Sequence, residues 1–231
     1  METITLPPAA ERTRSEQEWQ DLARLPTELP YSDGEPMESS WHVDNSSLFK
    51  ASYIAAAAQQ GHSNDVFIGT NMFVYYSLLQ VRNQDYKGPD IFIVKNVDGS
   101  RSRLYWATWD EDGRFPDVIV ELLSPSTEEN DLGFKKTLYE QTFKTPEYFC
   151  ADADVERLLG WRLSKRTKKY QPIQPDERGW LWSAQLELWL GRWHGRYMND
   201  ERTWLRLYHP DGSLVLLPEE AERQRAEAEH Q

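Results

Sequence analysis

The sequence predicts an α/β fold in which helices flank a mixed central sheet, and three observations carry that reading. Val118 to Leu123 is apolar almost without alternation, the mark of a central strand covered on both faces. Leu132, Lys135, Leu138, Tyr139 and Thr142 then recur three and four apart, as one face of a helix does, before Glu147-Tyr148-Phe149-Cys150-Ala151 returns to a strand. Ahead of both, from Asp65 onward, come short β-prone runs separated by turn residues. Strands, helix and strand in that order give a mixed sheet with helices packed on it.

Residues 1–40 hold Pro7, Pro8, Pro26, Pro30 and Pro36 with little periodicity, so a short helix around Arg14 to Arg24 and then an extended lead-in are expected. Asp44 is the candidate cap of a helix from Asn45 to Gln60, in which Leu48, Ser52, Ala55 and Gln59 recur at helical spacing and Gly61 marks the stop. Strands are expected as neighbours at Val66–Gly69, Met72–Tyr76, Pro89–Val94 and Leu104–Trp109. The helix after the central strand has two possible starts: Ser126 with Glu129 reads as a capping box, and Asp131 as the cap of a shorter helix. A hairpin-like pair, Leu158 to Leu163 and Lys168 to Ile173, follows the next strand.

Beyond Pro175, Trp180, Trp182, Trp189, Trp193 and Trp204 are broken by Gly179, Gly191 and Gly195, which suggests short elements covering one edge of the sheet, their aromatics in the core. The stretch from Glu219 to Gln231 is helix-prone but has no apolar stripe, so it projects into solvent or meets a protein partner. The chain therefore divides into a lead-in (1–40), one domain (41–217, with its core at about 41–173 and a Trp-rich edge at 174–217) and a charged helical tail (218–231).

Composition narrows the setting. The hydrophobic fraction is 39%, but 10 Trp, 11 Tyr and 8 Phe supply a core, because aromatics bury the most apolar area per residue. A single cysteine, Cys150, provides neither a disulfide framework nor a metal cluster and suits a reducing compartment. No apolar run approaches the roughly 20 residues of a membrane span, and Pro7, Pro8, Glu11 and Arg12 stand where a signal peptide has its apolar centre. The reading is a soluble, cytoplasmic protein without a membrane partner.

A net charge of -12 argues against broad nucleic-acid binding, which relies on Lys and Arg. Between Arg157 and Tyr170, however, there are six basic residues and no acid. Arg162, Lys165, Arg166, Lys168 and Lys169 are thus candidate phosphate contacts; equally, they are the solvated edge of a hairpin.

Chemistry is suspected first at Glu121, a carboxylate inside an aliphatic strand. A buried carboxylate becomes neutral, pairs with a cation or ligates a metal. Asp90 has a similar setting at a strand start. Asp117 lies four residues before Glu121 and on the same face, but at about 3.3 Å per residue the two are roughly 13 Å apart and cannot share an ion. Asp90, on a neighbouring strand, can reach Glu121 across about 5 Å. Two such carboxylates make an oxygen-ligand site of the kind Mg²⁺ prefers. Lys135 falls in the apolar stripe of the following helix, where an ammonium can orient a nucleophile or steady charge on a phosphate. A purely structural Lys135–Glu121 ion pair explains the same pattern.

These motifs together resemble a known family. Gly88-Pro89-Asp90 before an apolar strand, Pro116-Asp117-Val118-Ile119-Val120-Glu121-Leu122-Leu123-Ser124-Pro125-Ser126-Thr127, Asp131-x-Gly133-x-Lys135-x-x-x-Tyr139 and Pro146-Glu147-Tyr148 are similar to the putative restriction endonuclease family common in cyanobacteria, within the PD-(D/E)XK nuclease-like superfamily. The resemblance implies a restriction-endonuclease-like core, with Asp90 and Glu121 as the acidic residues. The superfamily's lysine is expected two residues after the second acid, where this chain has Leu123; Lys135 matches a lysine moved to the next helix. Glu38 is the choice for the early acidic residue of some members, and His42 is read as a packing or surface histidine. The implied activity is Mg²⁺-dependent (or Mn²⁺-dependent) hydrolysis of DNA, with homodimerisation for double-strand cutting. A nuclease fold that no longer cuts and serves as a binding or assembly module is the competing expectation.

Overall fold

In a computed structural model of the chain, the described residues are 29–30, 39–77, 80 and 88–229. The helix expected around Arg14 to Arg24, and Glu38, lie outside them. Helix α1 spans Ser40–Gln59, so it starts before Asn45, and Asp44 is inside it rather than its cap. Ser39, in extended geometry, takes the N-cap position. Tertiary bonds explain the earlier start. The Trp41 indole donates to the Thr203 carbonyl (3.3 Å) and His42 Nε2 donates to the Leu122 carbonyl (2.8 Å), which fixes a first turn that local pattern does not favour.

The strands β1 (Val66–Thr70), β2 (Val74–Tyr75), β3 (Ile91–Lys95), β4 (Trp106–Ala107), β5 (Val118–Leu123), β6 (Glu147–Asp152), β7 (Leu158–Leu163) and β8 (Tyr170–Pro172) follow in order. Six of them form the central sheet, in the order β1-β3-β5-β6-β7-β8. The sheet is mixed: β5 and β6 are parallel, whereas β3 pairs with β5, and β6 with β7, antiparallel. The expected row of four neighbouring strands is corrected. β1 pairs directly with β3, while β2 and β4 form a separate parallel pair. Phe73, Tyr75 and Ala107 make their own apolar cluster with Leu29, and that cluster draws the pair away from the sheet.

Residues 128–143 form one continuous helical run, α2, in which α turns at Glu128–Asn130 and Lys136–Leu138 alternate with π turns at Asp131–Lys135 and Tyr139–Phe143. Neither expected cap is used. The Thr127 and Glu128 amides instead donate to the side chain and carbonyl of Ser124. The helix closes where Lys144 adopts a left-handed conformation (φ 53°) and the Thr145 amide bonds back to the Tyr139 carbonyl six residues earlier.

The Trp-rich region covers a face of the central sheet, not an edge, and two of its three strands are long. It contains β9 (Leu181–Ser183), β10 (Leu188–Tyr197) and β11 (Asp200–Tyr208), a three-stranded antiparallel sheet. Val118, Val120 and Leu122 of β5 pack in one core with Trp41, Leu48 and Phe49 of α1 and with Leu188, Trp204 and Leu205. Ile119 and Leu123 point the other way, into a core with Leu138, Tyr139 and Phe143 of α2. Gly160 permits the close approach of the two sheets, since a Cβ there would lie 2.8 Å from the Phe149 ring and 2.9 Å from Leu181.

The final helix, α3 (Pro218–Glu229), buries no residue of its own, as its polar pattern suggested. Its first turn is nevertheless docked, because Glu220 makes two hydrogen bonds to the fully buried Arg206 guanidinium (3.0 and 2.8 Å). Among the described residues, no helix is long and apolar enough to cross a membrane.

Candidate active site

The site begins with the register of β3 against β5. Ile91 faces Val120, so one residue earlier Asp90 faces Glu121. Two bonds between backbone and side chain lock the pair. The Asp90 amide donates to Glu121 Oε2 (3.1 Å), and the Leu122 amide donates to Asp90 Oδ2 (2.7 Å). The β5 position is held from behind by His42. Its Nδ1 lies 2.8 Å from the Ser39 hydroxyl and its Nε2 donates to the Leu122 carbonyl, so both ring nitrogens are engaged. His42 is thus a buried packing histidine.

Glu121 points to the α2 face, where the helix presents Asp131, Lys135 and Tyr139. Lys135 Nζ ion-pairs with Glu121 Oε1 (3.1 Å) and Asp131 Oδ1 (2.8 Å), and the Tyr139 hydroxyl donates to Glu121 Oε1 (2.8 Å). Residues four apart in an α-helix drift by about 40° around its axis. A π turn closes i to i+5 bonds and so rotates less per residue. Alternating the two offsets the drift and keeps positions 131, 135 and 139 in one column facing the sheet. Tyr148, on β6, donates to the Asp131 carbonyl (2.9 Å) and anchors the first π turn.

Burial dominates the electrostatics. Glu121 and Tyr139 are fully buried, Asp131 nearly so, and Asp90 is partly open. Desolvation pushes the Glu121 carboxyl from its ordinary 4.5 up to about 7, against the pull of Lys135 and with the push of Asp90. The carboxyls of Asp90 and Asp131 are raised for the same primary reason. Lys135 is also raised: burial alone would lower it, but Glu121, Asp131 and Asp90 together outweigh that effect. With three carboxylates and one ammonium, the fully ionised cluster carries a formal charge of −2. The five apolar neighbours of Glu121 on β5 are all buried, and at about 2 kcal/mol each they stabilise the strand by about 10 kcal/mol, enough to hold an unfavourable acid in place.

Other candidates fall elsewhere. Asp117 accepts the Lys95 amide (2.8 Å) at the entrance of β5 and lies 3.6 Å from Arg114. Cys150 faces Glu121 across β6, but burial raises its thiol well above the usual range, so it is no ready nucleophile. The basic stripe is partly committed: Arg162 pairs with Glu147, Lys169 with Glu140 and Arg157 with Glu128 and Asp152. Lys165, Arg166 and Lys168 are exposed on the turn after β7. That turn is at the far end of the sheet from Glu121: Cys150 lies beside Glu121, Leu159 beside Cys150, and the strand then runs on to Leu163, about 13 Å further. The structure does not bring the basic residues and the acids together.

Sequence reasoning singled out neither Asp131 nor Tyr139 as a site residue. The spacing Asp131-x-x-x-Lys135-x-x-x-Tyr139 was the available signal, since it aligns all three with the face that meets β5.

These features define an α/β protein with a mixed sheet and a buried acid–lysine cluster where two adjacent strands meet the following helix. The chain belongs to the Uma2 family, described as "Putative restriction endonuclease", whose model matches residues 19–199. It is also similar to a crystal structure of a putative nuclease belonging to DUF820 from Anabaena variabilis ATCC 29413, at 12% identity and a TM-score of 0.45, over 68% of this chain and 81% of that one. A search of curated proteins gives no match.

Proposed function

We propose that this chain is a Mg²⁺-dependent endonuclease, with Mn²⁺ as a substitute ion, that hydrolyses DNA phosphodiester bonds. The supporting observation is the charge of the Asp90–Glu121–Asp131–Lys135 cluster. A buried site with a formal charge of −2 is costly unless protons or a cation compensate it. The donor chemistry fits a hard divalent ion, because Asp90 and Glu121 offer carboxylate oxygens from adjacent strands and Asp90 is partly open to solvent. Among the described residues, no group of three or more His, Cys, Asp and Glu is arranged to hold a metal. Two carboxylates are what Mg²⁺ takes in phosphate chemistry, where water and substrate complete its shell.

Asp90 and Glu121 would hold the ion, which when bound supplies Lewis-acid stabilisation of the phosphate under attack. Lys135 is kept protonated by its two carboxylate partners, so it is a donor and not a base. Its role is to orient the attacking water or to steady charge on the phosphate as the 3′ oxygen departs. Asp131 holds Lys135 in place from behind. The test is cleavage of plasmid and single-stranded DNA with Mg²⁺ or Mn²⁺. Activity is expected in wild type and absent in Glu121→Ala; equal activity in both refutes the proposal.

The complete burial of Glu121 favours one competing reading, a nuclease fold that has become a binding or assembly module. Calorimetric titration separates the two. Absence of millimolar or tighter Mg²⁺ binding favours the module, whereas binding that is lost in Asp90→Asn favours the enzyme.

A further inference from the structure

The two oxygens of Glu121 are not equivalent. Oε1 accepts the Tyr139 hydroxyl at 2.8 Å and lies 3.1 Å from Lys135 Nζ, whereas Oε2 accepts the Asp90 amide at 3.1 Å, on the side of the other carboxylate. Two donors therefore occupy the oxygen that faces α2, and the oxygen that faces Asp90 keeps lone-pair capacity. A carboxylate has about four lone-pair sites, so donors on one oxygen leave the other as the better ligand. The ring of Tyr139 is fully buried among Phe143 and Tyr148, at centroid distances of 5.2 and 5.3 Å, and this packing leaves its hydroxyl little freedom.

We propose that Tyr139 is a positioning residue for the metal ligand Glu121: by holding Oε1 it restricts the carboxylate to one-oxygen coordination through Oε2, and so selects Mg²⁺ over larger divalent ions. This rests on the reading of Asp90 and Glu121 as an ion site. The selectivity follows from ligand chemistry. Mg²⁺ requires near-octahedral geometry at about 2.1 Å, in which a carboxylate contributes one oxygen, while Ca²⁺ accepts both oxygens of a carboxylate in looser, higher-coordinate shells. Removing the hydroxyl frees Oε1 for the second mode. The lysine alone does not replace the hydroxyl, since it is shared with Asp131.

The experiment is calorimetric titration of the full chain with MgCl2 and, separately, CaCl2, in wild type and Tyr139→Phe. The substitution keeps the buried ring and deletes only the donor. Mg²⁺ affinity is expected to fall about tenfold, the scale of losses when a partner behind a ligand is removed. Ca²⁺ affinity is expected to hold or rise, so the Mg²⁺/Ca²⁺ ratio shifts about tenfold or more towards Ca²⁺. Unchanged affinities, or equal weakening of both ions as a general loss of structure gives, overturn the positioning role while leaving the ion site standing. A wild type that binds neither ion overturns the site and this inference with it. If Tyr139→Phe loses its cooperative melt, site-specific 3,5-difluorotyrosine at 139 provides the second arm. As a stronger donor of nearly the same shape, it is expected to move the ratio towards Mg²⁺, and an unmoved ratio overturns the proposal.

Discussion

Replacing Glu121 with glutamine should make the protein more stable and, at the same time, inactive. Glu121 titrates at about 7 in the folded protein against an ordinary 4.5, so the folded state holds its proton more tightly than the unfolded chain does. Between those values the native state binds more protons, and stability therefore falls as pH rises. The contribution is intact below about pH 4.5 and lost once pH has passed through about 7. A shift of about 2.5 units at 1.36 kcal/mol per unit is a loss of about 3 kcal/mol, and full burial leaves no solvent screening to discount it. Glutamine has the same shape and never ionises. In urea unfolding followed by tryptophan fluorescence, Glu121→Gln is expected to match wild type at pH 5 and to exceed it by up to about 3 kcal/mol at pH 8.5. Saturating Mg²⁺ should close the gap by stabilising wild type alone, by about 2.7 kcal/mol at a hundred times Kd. A variant less stable than wild type at pH 8.5 by about 3–5 kcal/mol, the usual result of breaking a buried ion pair, would refute the reasoning and make the Glu121–Lys135 pair structural.

Two further outcomes are expected. Mg²⁺ binding should strengthen as pH rises from 6 to 8, because Glu121 must lose its proton before it can act as a ligand; calorimetry that finds affinity independent of pH across this range contradicts that role. The triple variant Lys165→Ala, Arg166→Ala, Lys168→Ala should leave the single-turnover cleavage rate unchanged, since that turn is at the far end of the sheet from the acids, and a rate loss above about tenfold would place substrate over the turn.

What could be read from the sequence was a matter of contrast. Glu121 stands out because nothing else in Val118 to Leu123 is polar, and the same contrast picks out Asp90 and Lys135. Asp131 and Tyr139 lack it: an aspartate near a helix start looks like a cap, and a tyrosine in an apolar stripe looks like core. Their four-residue spacing about Lys135 puts them near one helix face, but only the π turns bring that face into line with Glu121, and π turns leave no mark in a three-and-four periodicity. The start of α1 was hidden for another reason, because Trp41 and His42 are held by Thr203 and Leu122, partners far along the chain. The pairing of β2 with β4 was equally hidden, since period-two patterning identifies a strand but not its neighbour. The burial of Arg206 was hidden as well, because its partner Glu220 lies on the following helix.

Helix α1 also sets a timetable. It meets β11, an outer strand of the second sheet, through Trp41 to Thr203 and through the Leu205 amide to Asn45 Oδ1 (2.9 Å), contacts that span 162 and 160 residues. Pairings so distant along the chain form late and slow folding. The chain is synthesised from its N-terminus, so α1, which steadies β5 through His42, waits until β11 has left the ribosome before its second support arrives. The acids thus acquire their final frame only once β11 has emerged, and a nascent chain that already contains Asp90, Glu121 and Lys135 does not yet hold them in a finished site.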